Sequence, residues 1–253
     1  MGHLPIALQL YTVRDQTARD FAGTLRRVAD LGYPAVEFAG YGALSSRQLA
    51  ALLAAVGLRA ASTHIGFATL EQRLEAEMDY AQALGCEYLV LPSLPPAQRS
   101  PQRIPALGEW LNEVGQRCRE RSIRFAYHHH DFEFARSAGR FLLDLLLENT
   151  DPMLVSLECD VYWAAFADVD PVTYLHRWPG RVPLLHLKDM APDRGCTEVG
   201  DGILDMHAIC RTAQAGGTQW YVVEHDQPRL PSLESARRSL HYLRGALPWL
   251  AIP

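Results

Sequence analysis

The chain has no cysteine pair at CxxC spacing, no excess of basic charge, and no apolar run near the roughly 20 residues of a membrane span. Each absence removes a class of function. Five cysteines (Cys86, Cys118, Cys159, Cys196, Cys210) are scattered and odd in number, which fits reduced thiols and core filler in a cytoplasmic protein. A formal net charge of −5 offers no field for a phosphate backbone, so nucleic acid is not the expected partner. Strand-like residues begin within about five positions of the N-terminus, too early for a signal peptide to precede them. Also missing is a glycine-rich phosphate loop after the first strand-like run. That segment reads LYTVRDQT, residues 10–17, without a glycine.

What the chain does have is alternation. Strand-like runs fall at 5–13, 35–40, 58–66, 86–93, 123–132, 153–163, 182–190 and 219–226, each followed by a helix-like segment. Ser45 and Ser46 read as a helix start and Gly57 as a helix end. Eight such cycles, about 30 residues apart, predict a single (β/α)8 TIM barrel over 1–253 rather than a doubly wound open sheet. At 48% hydrophobic and 21% charged residues, the 253-residue chain carries enough apolar material for one large core. Two connections stand out, a proline-rich one at 94–105 and a polar one at 191–205. The second is long for its place, and Gly195, Gly200 and Gly202 suggest a mobile lid from which Glu198 reaches back to a pocket.

The chemistry concentrates in three late runs: LECDVYW (157–163), LLHLKD (184–189) and YVVEHD (221–226). Residues i and i+2 of a strand share a face. Glu158 with Asp160, His186 with Lys188, and Glu224 with Asp226 are therefore delivered in pairs to one side, near the C-terminal end where barrel active sites form. Earlier strands offer Gln9 and Tyr11, Glu37, Ser62 and His64 by the same parity. With Ala126 inside the barrel, strand five adds His128 and His130, and Glu133 follows just beyond. An Asp, a His and a Glu on three neighbouring strands suit one divalent ion (Mn²⁺, Mg²⁺, Co²⁺ or Zn²⁺), so Asp160, His186 and Glu224 are the expected ligands. Plainer readings stand beside these. His64 also suits a satisfied core histidine, Glu158 and Lys188 a buried structural ion pair, Glu37 a partner for backbone groups, and the HHH run a surface loop.

Taken together, QLYTVRD (9–15), YHHHDFEF (127–134), LECDVYWA (157–164), LLHLKD (184–189), EVGDGILD (198–205) and VVEHD (222–226) resemble the sugar phosphate isomerase/epimerase family of xylose isomerase-like TIM barrels. The resemblance covers essentially the whole chain. It implies one divalent ion held by Asp160, His186 and Glu224, with a fourth ligand from strand five. Ketose epimerases of this kind place a glutamate there that also works as an acid/base group. This sequence has histidines instead, so the fourth ligand is His130, then His128, with Glu133 as a further candidate. Endonuclease IV-like nucleases share the fold but need three metals and many more histidines. Trp163 stands where a second strand-six ligand would be, and the strand-four end, LPS (91–93), has no histidine.

The expectation is an isomerase or epimerase of a sugar, keto-sugar or cyclitol that removes a proton beside a carbonyl. Glu224 serves as base on one face and His128, His130 or Glu133 on the other, with Lys188 holding the oxyanion. Gln9, Tyr11, His64, Trp163 and Glu198 would contact substrate, with Trp163, Tyr11 and Phe132 as apolar walls. Dehydration, as in the inosose dehydratase branch that the HHH run resembles, is the alternative outcome. A metal-free sugar-binding barrel is the rival class. Self-association into a homo-oligomer is left open.

Overall fold

The computed structural model describes residues 5–247 and 249, so the extreme ends of the expected 1–253 domain lie outside the described residues. Eight parallel strands close into a barrel: β1 (Ile6–Gln9), β2 (Ala35–Phe38), β3 (Arg59–His64), β4 (Tyr88–Leu91), β5 (Arg124–His128), β6 (Val155–Asp160), β7 (Leu184–Leu187) and β8 (Trp220–Val223). They pair in chain order, with β8 against β1, and helices form the outer ring. The expected (β/α)8 barrel is the fold. Among the described residues no helix is long and apolar enough to cross a membrane.

Local chemistry sets the helix ends. Ser45 caps helix Ser46–Val56 in a reciprocal box with Gln48, and Gly57 ends it in the left-handed region at φ 73°. Asp20 accepts from Gly23 N–H to open helix Phe21–Leu31, whose Leu25 and Val28 face the sheet fully buried. Each such side chain contributes about 1.5–3 kcal/mol by leaving water.

The barrel interior is layered. Small Ala7, Ala35, Ala61 and Ala126 share the lower layer with bulky Tyr88 and Trp220, so large and small side chains interdigitate. Ala126 in that layer puts His128, two residues on, in the layer above. In β3, Ala60 faces Val36 while Ser62 faces Glu37, which leaves Ala61 as the extra residue of a bulge.

The strands stop sooner than their hydrophobic runs. β1 ends at Gln9, whose side-chain oxygen accepts from Tyr11 N–H and starts a 3-10 turn over Leu10–Val13. β6 ends at Asp160, which caps a short helix, Val161–Phe166, where the sequence had suggested continuing strand. At this rim, side-chain acceptors take over backbone N–H groups from the ladder. The 191–205 connection is also tied down. Asp189 accepts from Gly200, Gly202 and Leu204 N–H at 3.0–3.2 Å, and Asp189–Met190 pairs with Cys196–Thr197. A Cβ at Gly202 would collide with the Asp189 carboxylate, and one at Gly200 (φ 92°) with the Tyr242 ring. Those two glycines, read in sequence as sources of mobility, permit close packing instead.

Candidate active site

A cavity of about 450 Å³ opens at the C-terminal end of the barrel, lined by Tyr11, Ala39, His64, Pro92, Ser93, His128, His130, Lys188, Glu224 and Asp226. Its floor is polar and buried. Glu37, Glu158, Asp160 and His186 are fully buried, and Lys188 and His128 nearly so.

Two groups of side chains there are close enough to hold an ion, each with all its ligand atoms within 4.8 Å of one another. The upper group is His128, Asp160, His186 and Glu224, and the deeper one is His64, His128, Glu158 and His186. In the upper group, His186 Nδ1 lies 2.9 Å from Glu224, and Asp160 Oδ2 lies 3.9 Å from both His186 Nδ1 and His128 Nε2. Asp160 divides its oxygens between two tasks. Oδ1 accepts from Tyr162 and Trp163 N–H at 3.0 Å, capping the helix, while Oδ2 points into the site, buried, with the Lys188 ammonium 3.1 Å away. Two imidazoles and two carboxylates whose ligand atoms converge in this way form a donor set that fits a divalent cation. The expected ligands Asp160, His186 and Glu224 thus come together.

Electrostatics divide the histidines into two kinds. Burial works against charge on His186, yet the carboxylates of Glu158 and Glu37 outweigh it and raise the imidazole well above its ordinary range. His64 behaves alike, burial being overcome by Glu37 and Glu158 and the ring pushed up to about 10. His128 has the opposite fate. Burial and the neighbouring His186, His130, His64 and Lys188 hold it well below the ordinary histidine value, so it is neutral with a lone pair to give. Lys188 stays charged despite burial, because Asp160 (3.1 Å), Glu224 (2.8 Å) and Asp226 (3.0 Å) surround it. Its ammonium also sits 5.5 Å from the Trp163 ring centroid, a cation–π contact.

Other sequence candidates are placed differently. His130 lines the cavity beside Trp163 but is not in either ion-holding group, so His128 is the strand-five member. Glu133 lies behind β5, bonded to the outward-facing Tyr127 and to His130 N–H, away from this cavity. Burial raises it to about 7. Gln9 does not line the cavity; its amide donates to Glu37 at 2.7 Å. Tyr11 stands 43% exposed at the mouth. Glu198 faces His225 at 3.9 Å instead of the pocket. Phe132 stacks behind His130, under Arg99. The expected Glu158–Lys188 pair does not form, since Glu158 contacts His64, His128 and His186. Glu37 holds side chains rather than backbone, accepting from Gln9, Ser62 and His186.

Sequence reading missed His129. The middle histidine points to the other face, where Nδ1–H donates to His130 C=O and Nε2 accepts from Asp160 N–H at 3.0 Å. It ties the end of β5 to the end of β6. The available signal was parity, which separates His129 from both its neighbours.

A model of the xylose isomerase-like TIM barrel matches residues 25–246. The chain belongs to that family. A solved sugar phosphate isomerase/epimerase from Parabacteroides distasonis is similar over 97% of this chain and 95% of its own, with TM-score 0.85 and 28% identity. The inosose dehydratase of Geobacillus kaustophilus is 29% identical over 245 residues, 80% of this family member and 79% of the relative. A 3-keto-D-glucoside 4-epimerase from E. coli shares the fold at TM-score 0.71 and 17% identity.

Proposed function

We propose that this family member is a metal-dependent isomerase or epimerase that removes a proton beside the carbonyl of a sugar, keto-sugar or cyclitol. The observation that carries the reading is the convergence of His128, Asp160, His186 and Glu224 on one point of the cavity floor, with Lys188 beside it. Those four residues would hold the ion. A divalent cation there supplies Lewis-acid polarisation of a carbonyl and the hydroxyl next to it.

The chain's own groups do the rest. Glu224 has its carboxyl depressed: burial opposes ionisation, but Lys188 and His186 outweigh it, so it is a carboxylate ready to take a proton. Lys188 donates to the oxygen on which charge develops as the C–H bond breaks. His130 lines the opposite wall with its buried Nδ1 lacking a hydrogen bond, which makes it the candidate acid/base group there, and burial with the charge of Lys188 keeps the ring neutral. Asp226 lines the cavity with Oδ2 3.0 Å from the Lys188 ammonium, so it orients that cation beside the substrate. Trp163 and Tyr11 supply flat faces near the mouth for a ring to lie against.

Proton return to the same or the adjacent carbon gives epimerisation or isomerisation. Expulsion of a β-hydroxyl from the same enediolate gives dehydration, and the inosose dehydratase relative favours that as the second reading. The test is incubation of metal-loaded protein with an inosose and with 3-keto-glucose in D₂O, followed by mass spectrometry and NMR. Deuterium at the carbon beside the carbonyl is the expected result, with water loss marking the dehydratase. Turnover with the label carried internally and none from solvent would overturn the proton-transfer reading.

A further inference from the structure

The two ion-capable groups share His128 and His186, and they use opposite nitrogens of each ring. Toward the cavity, His186 Nδ1 faces Glu224 and Asp160, and His128 Nε2 faces Asp160. Toward the barrel interior, His186 Nε2 lies 2.7 Å from Glu37 and 3.2 Å from Glu158, and His128 Nδ1 lies 3.0 Å from Glu158. A neutral imidazole has one lone pair and one N–H. Ions in both groups would require both rings to lose both protons, which imidazole resists strongly. One side of each ring therefore ligates and the other donates.

The deeper side is built to accept. Glu37 and Glu158 are fully buried carboxylates, and His64 Nε2 bridges them at 3.1 and 2.7 Å. Ser62 Oγ and Gln9 Nε2 donate to the two oxygens of Glu37 at 2.5 and 2.7 Å, which fixes its plane. His128 Nδ1 has Glu158 Oε2 as its neighbour at 3.0 Å, and the other oxygen, Oε1, is buried without a hydrogen bond. With the lone pair of His128 Nε2 given to an ion, Nδ1 carries the proton and Glu158 is the acceptor in reach. Both groups border the cavity, the upper through Glu224 and His128 and the deeper through His64 and His128, but only the upper one has a carboxylate in its lining, Glu224.

We propose that Glu37 and Glu158 are positioning residues for the bound ion: they accept the inward N–H groups of His186 and His128, set both rings, and leave room for one ion only. The proposal rests on the metal site of the preceding section and adds to it a second row of carboxylates, organised by Ser62, Gln9 and His64. A histidine ligand that donates its far N–H to a carboxylate is both better aligned and more basic toward metal.

The experiment is equilibrium dialysis of Mn²⁺ and Co²⁺ against the full chain, with the visible spectrum of the Co²⁺ form as a second readout. One ion per wild-type chain is expected. Glu158→Gln and Glu37→Gln should each weaken binding by about 10- to 100-fold while stoichiometry and the Co²⁺ coordination class stay the same. Ser62→Ala, which only loosens Glu37, should weaken it by about 2- to 10-fold and covers the case in which a glutamine variant fails to fold. Wild-type affinity in these variants would overturn this inference and leave the metal site standing. Two ions per chain, or a changed Co²⁺ spectrum in Glu158→Gln, would overturn it by making Glu158 a direct ligand. A wild type that binds no ion would overturn the metal site and this inference together.

Discussion

The lower and upper halves of the barrel interior are made by the same strands, two residues apart, and they have opposite chemistry. Below, Ala7, Ala35 and Ala126 pack around Tyr88 and Trp220. Above, Gln9, Glu37 and His128 succeed them on β1, β2 and β5. One pleat step thus converts a close-packed apolar plug into a nest of buried ionisable groups. The lower layer stabilises through area removed from water. The upper layer costs stability wherever a charge is unpaired, and it persists because each charge has a partner on a neighbouring strand. Stability and chemistry are separated by about one layer of side chains, and mutations should respect that boundary.

The sharpest way to break the comparison is Asp160→Ala. Metal content and activity should fall together, with kcat/KM down by about 10³ or more, and elemental analysis beside kinetics checks it. Trp220→Ala is the counterpart below. It should cost about 3–5 kcal/mol in urea unfolding while the folded fraction keeps its metal and its kcat/KM. Lys188→Met tests the upper layer without touching a ligand. Loss of the cation among Asp160, Glu224 and Asp226 should slow turnover by about 10² with metal retained.

The smallest effect lies outside both layers. Burial raises Glu133 to about 7 from an ordinary 4.5, so the folded state favours the protonated form. That contribution to stability is present below about 4.5 and is lost as pH rises through 7. Glu133→Gln removes the titration. Relative to the variant, wild type should lose about 3 kcal/mol between pH 4.5 and pH 8, read from urea unfolding at the two pH values. A pH-independent difference would contradict the assignment.

Much of this was legible in the chain because period-two parity needs only approximate strand positions. It put Ser62, His64, Asp160, His186 and Glu224 on the inner face, where the structure has them. Parity could not choose between His128 and His130, which share a face. The choice is made by where β5 ends, at His128, leaving His130 to turn toward Trp163 at the mouth. Glu133 and Glu198 were misjudged for a related reason. Both lie beyond regular strand, where a partner sets direction, and their partners, Tyr127 and His225, face away from the cavity. The row formed by Glu37 and Glu158 was hidden because its contacts are between strands far apart in sequence. His186 reaches Glu37 across 149 positions.

The most direct test of the central claim is an anomalous-difference map from crystals grown with Mn²⁺. The account predicts one peak per chain, bounded by His128, Asp160, His186 and Glu224 on the cavity side of the two histidine rings. A peak on the inner side, among His64, Glu37 and Glu158, or no peak at all, would contradict it.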